Sequence, residues 1–254
     1  MRRVLILGGS AEARRLAGLL AGRSDLAVTL SLAGRTAAPA SQPVQVRIGG
    51  FGGADGLRDY LSAQRVDVLV DATHPYASQI SAHAVRASAE AGVRLITLHR
   101  PPWVPIAGDQ WTDVADANEA AHALGDEPRR VFLALGRQDL AAFVQAPQHT
   151  YLIRTIDPVD PPLTVPRATY ILGRGPYAEA AERSLLVGHA IEVVVAKNSG
   201  GTATYGKIAA ARVLGLPVIF LRRPKLPAVP SVETVEEAVT RLDHTFALPA
   251  DRGV

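Results

Sequence analysis

The sequence predicts an α/β fold: two Rossmann-like three-layer domains with mainly parallel sheets and a cleft between them. Three observations predict it. Short apolar runs alternate with amphipathic stretches of helical length, the pattern of strands joined by crossover helices. The first run ends at once in a glycine pair, Gly8-Gly9. The segment from Val68 to Pro101 returns in outline from Val193 to Pro224, an offset of about 124 residues.

Taken in order, Arg3 to Leu7 reads as a strand buried on both faces. Ala11 to Leu20 follows with Ala13, Leu16, Ala17 and Leu20 on one helical face. Ala27 to Leu32 is the second strand, which completes a strand–turn–helix–strand unit. Val66–Val70 predicts a strand, Ser78–Ala91 a helix stopped by Gly92, and Val93–Leu98 another strand. Arg129–Leu135, Thr150–Ile153 and Thr169–Leu172 read as strands. Pro176–Val187 predicts a helix, Ile191–Val195 a strand, Thr204–Leu214 a helix and Pro217–Leu221 a strand. A last helix is expected over Val232–Leu242, capped by Ser231. The expected division is a nucleotide domain over 1–100, a crossover over 101–128, a second α/β domain over 129–246 and a tail over 247–254.

Composition narrows the chemistry. The 254 residues are 48% hydrophobic and 20% charged, enough for cores that need no staple. There is no cysteine, which excludes a disulfide scaffold, a thiol nucleophile and cysteine-held metal. The seven histidines show no HxxxH or HxH spacing, so no metal site is expected. No apolar run approaches the roughly 20 residues of a membrane span. The first apolar run is too short for a signal-peptide core, so a cytoplasmic protein is expected. Of 27 basic residues only three are lysine, and the arginines are scattered rather than gathered into a tail. With 5% aromatics, this argues against nucleic acid and suits a small polyanionic ligand.

The loops after the strands carry the candidate sites. Gly8-Gly9-Ser10-Ala11-Glu12 joins the first strand to the first helix. There glycine lets a diphosphate approach the backbone, and the helix start offers free amides. A plain tight turn has the same composition. After the second strand, Gly34-Arg35-Thr36 places an arginine where an acidic residue would select NAD. Arginine there accommodates the 2′-phosphate of NADP. Ala72-Thr73-His74-Pro75-Tyr76 belongs beside the cofactor, with His74 a donor of a proton or hydrogen bond. A capped turn in which Asp71 or Thr73 bonds locally is the alternative. Gly136-Arg137, Arg174-Gly175-Pro176-Tyr177 and Lys197-Asn198-Ser199-Gly200-Gly201 open toward the carboxyl edge of the second sheet. Their cations suit several carboxylates better than one phosphate. No G-x-S-x-G elbow or P-loop is present, and no tyrosine precedes a lysine by four places.

The segments Leu5–Ala17, Asp71–Ala77 and Lys197–Gly201, with Gly136-Arg137 and Leu221–Pro224, resemble the precorrin-6A reductases of cobalamin biosynthesis. The resemblance runs from about residue 3 to residue 242. It implies NADPH-dependent reduction of one double bond in the precorrin-6A macrocycle, giving precorrin-6B. Some relatives act on the cobalt-containing analogue. The substrate's acetate and propionate arms match the expected cations. On this reading Gly8, Gly9, Ser10, Ala11, Glu12, Gly34, Arg35, Thr36 and the 72–75 turn hold NADPH. Arg137, Arg174, Gly175, Tyr177 and Lys197 through Gly201 hold the tetrapyrrole. His74, Tyr76 and Lys197 are the candidate proton donors, with water as the alternative. No nucleic-acid or membrane partner is implied, and transient contact with neighbouring pathway enzymes is left open. Two other readings remain: an extended short-chain NADPH oxidoreductase and a non-catalytic NADP sensor.

Overall fold

The protein is described here by a computed structural model covering residues 1–34 and 41–247. The chain divides into two units, Met1–Pro101 with the segment from Pro224, and Pro102–Arg223. Each is built on a six-stranded sheet whose strand pairings, among the described residues, are all parallel.

In the first unit, β1 (Arg2–Leu7), α1 (Ala11–Leu20), β2 (Leu26–Leu32), β3 (Gln45–Ile48), α2 (Gly53–Ala63), β4 (Val68–Asp71), α3 (Ser78–Ala91) and β5 (Arg94–Leu98) follow in chain order. The second unit has β6 (Trp111–Val114), α4 (Ala117–Ala123), β7 (Arg130–Ala134), a 3₁₀ helix (Arg137–Gln145), β8 (Thr150–Thr155), β9 (Ala168–Leu172), α5 (Glu179–Gly188), β10 (Val193–Lys197), α6 (Gly206–Val213) and β11 (Val218–Leu221). The chain then returns to the first unit for β12 (Ser231–Val232) and α7 (Val235–Ala247).

The first sheet runs β3-β2-β1-β4-β5-β12 and the second β9-β8-β7-β10-β11-β6. Both are the doubly wound order in which the strand sequence reverses beside the first strand. In both, the sixth place is filled from across the chain. After β5 the chain leaves to become the sixth strand of the second sheet. After β11 it leaves to become the sixth strand of the first.

Alternation explains the layers. In β1, Val4 and Ile6 face α1 and α7, packing with Leu16, Leu20, Val235 and Leu242. Leu5 and Leu7 face α2 and α3, packing with Leu57, Leu61, Ala84 and Ala87. In the second unit Phe132, Val194 and Phe220 pack on α5 and α6 through Leu186 and Ile208. The intervening Val131, Leu133, Val193 and Val195 are buried too, as strands covered on both faces require. Among the described residues no helix is long and apolar enough to cross a membrane.

Several boundaries differ from the sequence expectation. The stretch 101–128 is not only a crossover, because Trp111–Val114 pairs with β11 and α4 follows it. The strand is short and half exposed, so its apolar signal is weak. The expected second domain does not run to 246, since β12 pairs with β5 and α7 packs in the first core. Ser231 lies in β12 and does not cap α7. Thr234 does, accepting from the Glu237 amide at 3.2 Å, while Glu237 accepts from Glu233 and Thr234. α5 starts at Glu179 rather than Pro176, because Tyr177 donates its amide to Ala203 outside the helix.

Candidate active site

The carboxyl ends of β1 and β4 flank the point where the first sheet reverses its order, and the loops after them meet there. Gly8 is required by packing: a Cβ on it would lie 2.7 Å from Leu30 Cδ1 on β2. Gly9 is required by backbone, with φ of 109°, and a Cβ there would meet nothing within 4 Å. The turn thus leaves open space over Gly9, directly before the start of α1. Ser10 ends the turn. Its hydroxyl accepts from the Ala13 amide at 3.0 Å, capping α1, and donates to the Ala72 carbonyl at 2.6 Å. One side chain therefore ties the glycine turn to the loop after β4. Ala11 is exposed at the first position of α1, where amides have no partner within the helix. Glu12 is half-buried and paired with Arg100, just past β5, so its charge does not stand alone at the helix start.

The β4 loop is organised by Asp71, which is buried. Its Oδ1 accepts from the Thr73 hydroxyl at 2.7 Å and the Thr73 amide at 3.1 Å. Its Oδ2 lies 3.5 Å from His99 Nε2, an ion-pair distance rather than a good hydrogen bond. Burial alone would push the Asp71 carboxyl up. The His99 ring, the Ser81 hydroxyl and the two Thr73 donors together hold it below the usual carboxylate range.

Thr73 is therefore turned inward, and Ala72 is buried with its carbonyl held by Ser10. Pro75 is buried as well. His74 and Tyr76 are half-buried with ring centroids 5.7 Å apart. The Tyr76 amide donates to His74 Nδ1 at 3.3 Å, so the neutral ring carries its proton on Nε2. In the loop after β2, Gly34 has φ of 73° and is the last described residue before position 35. Arg35 and Thr36 lie outside the described residues.

The carboxyl edge of the second sheet is built from side chains. Arg137 opens the 3₁₀ helix and is exposed, as is Arg174 in the loop after β9. Lys197, at the end of β10, pairs with Asp139 at 2.6 Å, so its charge is largely balanced. Asn198 is closed onto the chain. Its Oδ1 accepts from the Trp103 amide at 2.8 Å and its Nδ2 donates to the Trp103 carbonyl at 2.9 Å. Trp103 Nε1 in turn donates to the Gly201 carbonyl at 2.7 Å. Ser199 keeps its amide on the Lys197 carbonyl at 2.8 Å. Gly200 and Gly201 sit at φ of 68° and 69°, a left-handed pair that only glycine takes without strain.

Gly175 packs tightly, its Cβ position 3.0 Å from the Ala203 carbonyl. The Tyr177 ring stacks on the Arg154 guanidinium at 3.7 Å rather than standing free. Among the described residues no group of three His, Asp or Glu side chains could hold a metal ion.

The sequence reading overlooked His99, Ser81 and Arg100, the partners of Asp71 and Glu12, and the part of Asp139 in balancing Lys197. His99-Arg100-Pro101 was visible as the end of one arm of the internal repeat, the one signal for His99 and Arg100. Arg47 was also missed. Its guanidinium lies 3.8 Å from the Phe51 ring and donates to the carbonyls of Gly49 and Gly50, which shapes the rim after β3.

A doubly wound sheet with a glycine turn leading into α1 at its switch point defines the first unit as Rossmann-type. The chain matches the model of a family described as Precorrin-6x reductase CbiJ/CobK over residues 3–243. It is 55% identical to a Precorrin-6A reductase of Sinorhizobium sp over 96% of this chain and 94% of that one. It is 49% identical to a Precorrin-6A reductase of Rhodobacter capsulatus over the whole of both chains. A solved structure titled CobK precorrin-6A reductase superposes with a TM-score of 0.93 at 48% identity, covering 100% of each chain. The chain belongs to the precorrin-6x reductase family.

Proposed function

We propose that this protein reduces one double bond of the precorrin-6A macrocycle to give precorrin-6B in cobalamin biosynthesis, with NADPH as the reductant. The family match over residues 3–243, a range that contains every loop assigned above, carries the reading, with 55% identity to a relative over nearly the whole of both chains beside it. A cytoplasmic setting belongs to the same proposal, since a reaction that draws on NADPH needs a reducing compartment.

The first unit fits the dinucleotide on its own geometry. Open space over Gly9 leaves room for a diphosphate, and the amides at the start of α1 face it. Arg35 and Thr36 complete the grip through the 2′-phosphate, and the 72–76 loop borders the nicotinamide. When bound, the nicotinamide supplies the hydride; the protein sets the orientation. Arg137 and Arg174 receive carboxylate arms of the macrocycle by charge-assisted hydrogen bonds. The Lys197–Asp139 pair offers a donor with little net charge. The adjacent ring carbon must gain a proton. His74 presents an Nε2–H, and Tyr76 and Lys197 are the other protein donors.

Anaerobic mixing of the protein with precorrin-6A and NADPH tests the reaction. Matched loss of NADPH and a shifted visible spectrum are expected. Turnover only with the cobalt-loaded macrocycle would change the substrate assignment. Cofactor binding without turnover on either substrate would leave the sensor reading in its place. An Arg35→Ala variant should lose about tenfold or more in NADPH affinity with NADH much less affected. Equal loss for both would remove Arg35 from the 2′-phosphate.

A further inference from the structure

Three charged groups in the second unit play no part in the chemistry above, and all three are buried: Arg154 on β8, Glu182 on α5 and Lys207 on α6. Arg154 and Glu182 meet fork to fork at 2.5 and 2.7 Å, which occupies both carboxylate oxygens. Lys207 is left without a carboxylate of its own among the described residues. It sits in the first turn of α6, where the helix dipole also disfavours a cation. Its ammonium donates to the Thr204 carbonyl at 2.7 Å and lies 5.2 Å from the Trp103 ring. The cluster thus holds one positive charge more than it holds negative.

Two of the three loops assigned to the macrocycle rest on this cluster. Thr204 closes the Lys197–Thr204 loop. Trp103, which Lys207 faces, also fixes Asn198 and Gly201 of that loop. Tyr177, stacked on Arg154, donates its amide to Ala203 and packs against Gly173 and Gly175 on either side of Arg174. Resting on the substrate assignment of these loops, we propose that Lys207 is a positioning residue for the macrocycle. Its ammonium braces the Lys197–Thr204 loop from beneath and adds a fixed positive charge under the carboxylate-binding edge; the charge, and the added strength it gives the brace, require it to be protonated.

The surroundings make that protonation sensitive near neutrality. Burial pushes Lys207 down to about 7, Arg154 acts in the same direction, and Glu182 opposes them. The other groups around it are Tyr177, whose hydroxyl burial pushes up, and Arg212 on α6, paired with Asp109 at 2.9 Å and bonded to Tyr205. The Tyr177 hydroxyl and the Arg212 guanidinium, both pushed up, keep their charge state between pH 6 and 8.5, and so do the substrate's carboxylates. As pH rises through 7 the brace should therefore lose its charge, and affinity for the polyanion should fall.

The test is the KM for precorrin-6A at saturating NADPH between pH 6 and 8.5, with direct titration of the macrocycle into the cofactor-free protein. Wild type should weaken about tenfold across this range in both measurements, and the pH profile of kcat should be the same in wild type and Lys207→Met. Lys207→Met should be flat at the weak value, and Lys207→Arg should be flat and tighter than Lys207→Met. A flat wild-type profile overturns the proposal even if the Met variant fails to fold, and so does a Met variant that keeps the slope. Arg137→Gln and Arg174→Gln separate this from the underlying assignment. If they raise KM while Lys207→Met leaves it unchanged, only the Lys207 role fails. If none of the three moves KM, the assignment of these loops to the macrocycle fails with it.

Discussion

The carboxyl edges of the two sheets share a strand order and differ in what they present. The first offers backbone: Gly9 with open space above it, the amides at the start of α1, and a single hydroxyl, Ser10, joining two loops. Of the acidic groups nearby, Glu12 is paired with Arg100 and the Asp71 carboxylate lies against the His99 ring. The second offers guanidinium and ammonium groups on side chains, backed by a buried ionic cluster. Backbone amides converging on one point suit a compact diphosphate whose shape does not vary. Side chains on separate loops suit carboxylates spread around a wide rim. On the proposed assignment, two copies of one topology differ in the residues at and beneath their carboxyl edges.

The comparison is most exposed at Glu182. Removing its carboxylate leaves Arg154 buried and unpaired, and Glu182→Ala should lose about 3–5 kcal/mol of stability. Urea unfolding measures this. A loss under about 1 kcal/mol would mean that the second edge does not depend on its buried charges.

Next comes Gly9→Ala. Its positive φ implies a strain of about 1–3 kcal/mol, while its Cβ clashes with nothing in the protein. The same Cβ would intrude on the open space above the turn. NADPH affinity, followed by fluorescence titration, should fall about tenfold or more at temperatures where the variant is folded. Unchanged affinity would move the diphosphate elsewhere.

Ser10→Ala should destabilise the first unit by about 0.5–2 kcal/mol through loss of the cap, and loosen the tie to Ala72. Macrocycle affinity in the absence of cofactor should be unaffected, which sharpens the division of labour.

Asp71 provides a pH test. Its carboxyl is held below the usual range in the folded state, so it contributes stability above the ordinary carboxylate pKa. That contribution disappears as pH falls through the lowered value. Asp71→Asn keeps an acceptor for Thr73 and should flatten the acid limb of stability, read as melting temperature between pH 6 and 3. Smallest of all is Arg15→Ala, which breaks an exposed pair with Glu236 and should stay within about 0.5 kcal/mol.

Much of this was legible in the chain. β1, α1, α3 and β10 announce themselves because buried parallel strands are continuous apolar runs and long helices repeat their buried face. The loops after β1, β4 and β10 were found for the same reason, since each directly follows such a strand. β3, α2, β6 and α4 were not found. Gln45–Ile48 and Trp111–Val114 are four-residue strands with mixed exposure, too short for a period to register. The last helix was found with the wrong cap and in the wrong unit, because a helix reads the same whichever sheet receives it.

Within the candidate site, the directions of the side chains were not legible. Asn198, Thr73 and Tyr177 read from sequence as ligand-facing. The fold gives Asn198 to Trp103, Thr73 to Asp71, and the Tyr177 ring to Arg154.

The sequence by itself determined the fold class, the position of the glycine turn, the loops that follow the strands and the family. Those rest on local periodicity and on backbone freedom confined to a few residues. Only the tertiary structure decided which sheet receives β6 and β12, that Ser10 joins the β1 and β4 loops, and that Arg154, Glu182 and Lys207 meet under the second edge. Each of these joins residues tens to more than a hundred positions apart. A hydrogen bond or ion pair depends on distance in space, and local sequence pattern carries no record of it.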